Sequence, residues 1–224
     1  GVLLSMEEEP YVLDMPVVSR GFDRLEFDQV RFRYPNTDRY ILKDLSLTMH
    51  SNKTYGIVGV NGAGKTTFVK LLTGLYRDYE GSIKIDGREL REFSHSELKG
   101  LFAPVYQDFA RYEISVYDNI AIGNLSKKDQ KKEVRMAADQ LRLTPIIEGL
   151  VKKWSSILGK IDDSGVDLSG GEWQRIALAR AVVNPAPICI LDEPTAALDP
   201  VAESNIYREF DEIRKGRTTI FISH

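Results

Sequence analysis

Only one of the 224 residues is a cysteine, Cys189, so no disulfide can form within the chain, and its place inside the apolar run Ile188-Cys189-Ile190-Leu191 marks it as a packing residue. No stretch reaches the roughly 20 consecutive apolar residues that a bilayer span requires, so the chain reads as a soluble domain rather than a membrane-embedded one. An excess of positive charge is missing too: 30 Lys and Arg face 33 Asp and Glu, a net charge of -3. Without a concentrated basic face, duplex nucleic acid is a disfavoured partner. Internal repeats and low-complexity tracts are also absent. What remains is 42% hydrophobic and 28% charged, the balance of a globular protein with length for one substantial core, or a core with a subdomain.

Residues 1–21, marked by Glu7-Glu8-Glu9-Pro10 and Pro16, hold neither helical nor strand period for long and read as a linker entering a domain. The alternation Leu25, Phe27, Val30, Phe32 and then Ile41, Leu45, Leu47 predicts an antiparallel β layer leading into a buried strand at 55–58. Residues 81–87 read as a short strand closed by a turn. After Gln107 the pattern turns helical. Ser126 is expected to cap a helix with Asp129 in its first turn, with Val134, Met136, Ala137 and Leu141 near one face and Lys127, Lys128, Lys131 and Lys132 on a solvated one. Strands return at 188–191 and 218–222, the second preceded by a predicted helix over 200–215, a β-α-β crossover with right-handed expectation. The chain opens on Gly1 and stops at His224, directly after the apolar run 219–222, and is expected to be a piece of a longer polypeptide.

The chemistry concentrates in three places. At Gly59-Val60-Asn61-Gly62-Ala63-Gly64-Lys65-Thr66 the sequence matches G-x-x-x-x-G-K-[ST], set between the strand at 55–58 and an amphipathic helix expected over 67–75. Glycines let successive backbone N–H groups turn inward, and a helix N-terminus at the same place favours phosphate. Lys65 is then placed for the β- and γ-phosphates, the Thr66 hydroxyl for Mg²⁺, and Thr67 for the α- and β-phosphates. Asp192 ends an aliphatic strand, where a carboxylate beside phosphates is suited to hold the Mg²⁺ water shell, and Glu193 follows. Alone, Asp192-Glu193-Pro194 would be a strand-ending turn; beside a phosphate loop it is more. The third place is Leu168-Ser169-Gly170-Gly171-Glu172, where a hydroxyl and the exposed N–H groups of Ser169, Gly170 and Gly171 open a second helix and so a second anion site.

Together these three motifs, in this order, resemble the ATP-binding cassette (ABC) ATPases over residues 25–224. The resemblance implies an α/β fold: a P-loop ATPase core, an antiparallel β subdomain and a helical subdomain at about 108–180 that carries the Ser-Gly-Gly motif. It implies ATP and Mg²⁺ as ligands, with Glu193 orienting the attacking water. Gln107 corresponds to the family's Q-loop glutamine near Mg²⁺ and that water, His224 to the switch histidine at the γ-phosphate, Asp199 to the D-loop that crosses to a partner, and Tyr34 to the aromatic that stacks on adenine. Outside that motif order, a lone Gln, His or Tyr would carry no such meaning. Two cassettes are implied to pack head to tail, so that Ser169 and Gly171 of one cap the ATP held by residues 59–67 of the other. The family's usual Leu-Ser-Gly-Gly-Gln is departed from at Glu172. An acid in the first helical turn suits the helix dipole and adds negative charge near a phosphate; alternatively it turns sideways and only caps.

Residues 34–35, 41–46, 85–87 and 116–120 resemble bacterial exporter cassettes, and residues 159–167 only loosely match the segment that precedes the Ser-Gly-Gly motif there. Residues 1–24 are accordingly expected to link to a preceding membrane domain, residues 25–224 to form an ABC ATP-binding domain incomplete at its C-terminus, and the whole to work at the cytoplasmic face of the cell membrane. The expected partners are a second cassette and the transporter's transmembrane domain, with no nucleic acid. Tyr106, Phe109, Tyr112 and Ile114 either receive that membrane domain or pack the helical subdomain. The alternative function is a soluble ABC ATPase acting on nucleic acid or in translation; such proteins carry long coiled-coil insertions or a second cassette, and neither is visible. A binding module without catalysis is disfavoured by Lys65, Asp192, Glu193 and Gln107.

Overall fold

The computed structural model describes residues 21–60, 62–127, 129–159, 165–192 and 216–223. Two four-stranded sheets carry it. The first is antiparallel, in the order β2 (Leu42–His50), β1 (Arg24–Phe32), β4 (Glu80–Ile85), β5 (Arg88–Glu89). Its central pairing sets Leu25 opposite Met49 on one side and Ile85 on the other, and Phe27 opposite Leu47 and Ile83. The expected alternation thus faces one side, with Leu25, Phe27, Val30 and Phe32 all buried. The turn joining β4 to β5 places Asp86 and Gly87 at φ 50 and 82, two consecutive left-handed residues that match the strand twist of a tight hairpin.

The second sheet is parallel, in the order β3 (Thr54–Val58), β8 (Thr218–Ser223), β7 (Ile188–Asp192), β6 (Phe102–Val105). Its interior strand β7 is apolar up to its final residue, Asp192, because both faces are covered. Ile188 and Ile190 join a cluster with the antiparallel sheet, α1 (Lys65–Leu72) and α2 (His95–Leu101), whereas Cys189 and Leu191 join a second cluster built from helices. Those helices are α3 (Val116–Ala121), α4 (Lys131–Gln140), α5 (Thr144–Gly149) and α6 (Gly170–Val183). Burial raises the Cys189 thiol to about 12, as a packing residue requires.

Four expectations are corrected. The strand before the phosphate loop is not buried: β3 pairs with β8 alone among the described residues, and Val58 is 72% exposed, because β3 lies at the sheet edge. Ser126 caps no helix. Its hydroxyl donates to Asn124 Oδ1 at 2.6 Å, and α4 starts later with Gln130 at its N-cap, whose buried amide instead donates to the carbonyls of Ala121 and Asn124. Met136 is 53% exposed, since the stripe that packs is Val134, Ala137, Ala138 and Leu141, at the i, i+3, i+4, i+7 spacing. The helix after the phosphate loop runs over Lys65–Leu72 rather than to Leu75, ending at Thr73 before Gly74 with φ 73. β7 and β8 lie side by side and parallel as expected, while the predicted helix at 200–215 and the linker at 1–20 fall outside the described residues.

Candidate functional site

The register of the parallel sheet determines where the chemistry meets. Val58 pairs with Ser223, Ile57 and Asp192 both pair with Ile222, and Leu191 pairs with Val105. All four strands therefore end together, and the four segments that leave them are the phosphate loop at Gly59, the segment holding Gln107, the acidic end at Asp192, and the chain at Ser223. Ligands of open parallel sheets bind in the crevice outside these carboxyl ends. Asp192 is 5% exposed at the tip of β7, and Gln107 lies exposed just beyond β6.

The phosphate loop itself is fixed by its neighbours. Gly64 precedes α1 in the left-handed region at φ 93, and a Cβ there would lie 2.8 Å from Leu42 Cδ2 and 3.2 Å from Ile41 Cγ2. Only glycine fits both the backbone and the space. The antiparallel sheet thus presses the loop against the start of α1. That helix carries no side-chain cap and no acid in its first turn, so its leading N–H groups face the loop without a competing side chain. Gly62, at φ 79, and Ala63 complete the turn, with Ala63 N–H donating to Val60 O at 3.1 Å. Lys65 is 8% exposed, and its Nζ donates to the carbonyls of Gly59 and, at 3.3 Å, Val60. Among the described residues no acid pairs with this buried ammonium, and phosphate oxygens are natural acceptors for it. Thr66 is exposed at the helix start, and Thr67 is buried with its hydroxyl 2.9 Å from that of Tyr34.

The hard oxygen donors suited to Mg²⁺ in this crevice are the Thr66 hydroxyl and the Asp192 carboxylate. Mg²⁺ typically takes one or two such protein ligands and completes its shell with substrate phosphates and water, so the donor set fits.

The second helix start is different. Ser169 Oγ accepts from Glu172 N–H at 3.3 Å, and Glu172 Oε2 accepts from Ser169 N–H at 2.7 Å, a reciprocal capping box. Glu172 is therefore turned onto its own helix end, the sideways arrangement weighed above. The N–H groups of Gly170 and Gly171 remain at the tip of α6, a helix of 14 residues with Trp173 and Ile176 buried beneath. Asn61, Glu193, Asp199 and His224 lie outside the described residues, as do residues 160–164 of the segment before Ser169.

Sequence reasoning missed Arg180. This α6 residue donates to Asn119 O at 2.8 Å, Asn119 Oδ1 at 2.6 Å and Ala110 O at 2.6 Å, and its guanidinium lies 4.8 Å over the Tyr112 ring. Burial lowers its pKa to about 10. It joins the segment following Gln107 to the Ser-Gly-Gly helix, and beside it a cavity of about 380 Å³ opens between Pro104, Tyr106, Phe109, Tyr112 and Ile122. An arginine in an amphipathic-looking helix gives no signal of such a role in sequence. Phe109 packs on the helical cluster, while Tyr112 is 44% exposed. Phe109 thus packs the helical subdomain, as one of the two readings has it.

A phosphate loop, a strand-end aspartate and a second glycine-rich helix start, mounted on a parallel sheet flanked by an antiparallel layer and a helical one, define a nucleotide-binding domain of the P-loop class. The comparisons with known proteins place it further. The ABC transporter family model matches residues 42–196. The subtilin transport ATP-binding protein SpaT of Bacillus subtilis is 40% identical over 198 residues, 88% of this chain and 32% of that protein. An ATP-dependent lipid A-core flippase of Pseudomonas aeruginosa is 37% identical, covering 90% of this chain and 33% of its own length. Among solved structures, a bacterial Atm1-family ABC exporter with ATP bound superposes with a TM-score of 0.82 at 34% identity, over 95% of this chain and 36% of that one. The chain belongs to the ABC transporter family. It corresponds to the ATP-binding part of that family and spans about a third of the length of the curated relatives it matches.

Proposed function

We propose that this chain is the ATP-hydrolysing nucleotide-binding domain of an ABC exporter, working as one of two cassettes that close on ATP and open on its hydrolysis. The observation that carries the reading is the convergence of the uncapped α1 N-terminus, Lys65, Asp192 and the Gln107 segment at one end of the parallel sheet. In this reading the N–H groups of residues 62–67 receive the phosphates, and Lys65 exchanges its loop carbonyls for β- and γ-phosphate oxygens. Thr66, Asp192 and Gln107 would hold Mg²⁺, which when bound would supply positive charge beside the phosphates. Glu193 takes a proton from the attacking water as its oxygen bonds the γ-phosphorus and the bond to the β–γ bridging oxygen breaks, releasing ADP. His224 steadies the γ-phosphate. Such phosphoryl transfer depends on positioning and charge rather than covalent catalysis, so one carboxylate at the water is enough.

Ser169, Gly170 and Gly171 act on the nucleotide of a second cassette, with Asp199 crossing to the same partner, and Tyr34 stacks on the base. The groove beside Arg180, Tyr106 and Phe109 receives the transporter's membrane-spanning part, and Arg180 carries its movement to the Ser-Gly-Gly helix. Working at the inner face of the membrane, the domain would power export of a cargo selected elsewhere. The test is phosphate release from Mg-ATP: Glu193→Gln is expected to abolish turnover while ATP still binds, and full hydrolysis in that variant contradicts the assignment.

A further inference from the structure

Thr67 is 4% exposed in the first turn of α1, and its hydroxyl oxygen lies 2.9 Å from the hydroxyl of Tyr34. The Tyr34 ring is held as firmly at its other end. It meets Phe32 at 5.2 Å and 82° and Tyr76 at 5.3 Å and 81°, both T-shaped, and Phe32 and Tyr76 themselves approach to 5.4 Å. Lys70 Nζ lies 5.6 Å over the same ring. Phe32 ends β1, Thr67 and Lys70 belong to α1, and Tyr76 follows that helix, so three segments fix one aromatic side chain. The ring nevertheless stays half-buried and lines a cavity of about 430 Å³.

We propose that the Tyr34–Thr67 hydrogen bond, with the Tyr76 ring as buttress, locks Tyr34 as a preset platform for the nucleobase and ties it rigidly to the phosphate-binding turn, with Tyr76 as a positioning residue. The proposal rests on the reading of this site as a nucleotide site and extends it. A hydroxyl has one proton to give and two lone pairs. Either hydroxyl can donate across the 2.9 Å contact, and in both cases the bond fixes the end of the Tyr34 ring to the first turn of α1. A ring already immobilised also spares the ligand the entropy of ordering it, which is how preorganisation raises affinity. The lock thus acts on the base contact and leaves the phosphate contacts to the loop.

The test compares Mg-ATP with Mg-tripolyphosphate, which carries the phosphates and no base, by calorimetry on the whole chain. Tyr34→Phe keeps the stacking ring and removes the hydroxyl; it is expected to weaken ATP binding about 3- to 10-fold and leave tripolyphosphate binding unchanged, a span that lies within one decade of affinity. Tyr76→Leu is expected to follow the same pattern, and Tyr76→Phe to restore wild-type binding. ATP binding in Tyr34→Phe as tight as wild type, or an equal loss for both ligands, overturns the lock. The underlying reading fails differently: a wild-type chain that binds ATP no better than tripolyphosphate, or a Tyr34→Ala variant that binds ATP undiminished, removes the base from Tyr34 altogether and the lock with it.

Discussion

Helices α1 and α6 both begin at glycine-rich turns that look alike in sequence, yet the chain treats the two ends in opposite ways. At α1 the cap is Gly64 at φ 93, with no side-chain bond and no acid in the first turn. At α6 the chain closes its own end with Ser169 and Glu172. A helix N-terminus has about four N–H groups without an intrahelical partner, and beside a glycine-rich turn and a lysine they suit a phosphate. In the function proposed above, the α1 terminus receives the phosphates by itself. The α6 terminus is half satisfied from within, and its remaining Gly170 and Gly171 amides make a weaker site beside a fixed carboxylate. A third terminus, that of α2, has the same Ser-x-x-Glu box in Ser94 and Glu97, and there Arg88 closes on the carboxylate at 2.7 Å.

The sharpest way to break the comparison is at Lys65. Lys65→Ala is expected to weaken Mg-ATP binding about 10- to 100-fold, a charged hydrogen bond's worth of about 1.4–2.7 kcal/mol, read by calorimetry; unchanged affinity would remove α1 from the account. Gly64→Ala attacks the open cap instead. The left-handed backbone and the 2.8 Å approach to Leu42 lead to an expected loss of about 1–3 kcal/mol in thermal or urea unfolding, with ATP binding lost in step. Stability equal to wild type there would mean that the loop has another conformation.

At α6 the expected effects are smaller and of opposite sign. Glu172→Gln preserves the capping box, since glutamine serves the same place, so stability should stay within about 0.5 kcal/mol. Loss of the carboxylate should tighten ATP-dependent pairing of two copies about 2- to 5-fold at low salt, the gain shrinking as salt rises. Weaker pairing would show that the acid assists closure. The smallest effect belongs to α2. Arg88, and then the Ser94 N–H, hold the Glu97 carboxyl at about 2. Its folded value is below its unfolded one near 4.3, so its stabilisation is present above that pH and fades as pH falls through about 2. An NMR titration of Glu97 at an ordinary carboxylate value would dissolve the Arg88 contact.

Much of this was legible in sequence, for reasons that differ by element. The alternation in β1 survives because one face of an antiparallel sheet is covered, and the phosphate loop because its glycines have no substitutes at Gly64. The apolar run at Ile188–Asp192 announced itself because both its faces are buried. The edge position of β3 was not legible: an apolar strand of five residues looks the same at an edge as in the middle, and only pairing with β8 tells them apart. The start of α4 was misplaced because Gln130 spends its amide on the turn at Ala121 and Asn124, a tertiary contact that local capping rules do not see. Of the site, the motif order located the phosphate loop, Asp192 and the Ser-Gly-Gly turn, whereas Arg180 and Tyr76 are defined by what folds against them. Glu172 stood between the two cases. Its spacing from Ser169 allowed a cap, and the structure shows it made.

The central claim is that α1 holds the nucleotide and α6 completes the site only across two copies. Light scattering of the Glu193→Gln chain with and without Mg-ATP addresses it directly. The account predicts a monomer alone and a dimer with Mg-ATP, abolished when Lys65→Ala is added; a monomer under both conditions while ATP is demonstrably bound would contradict it.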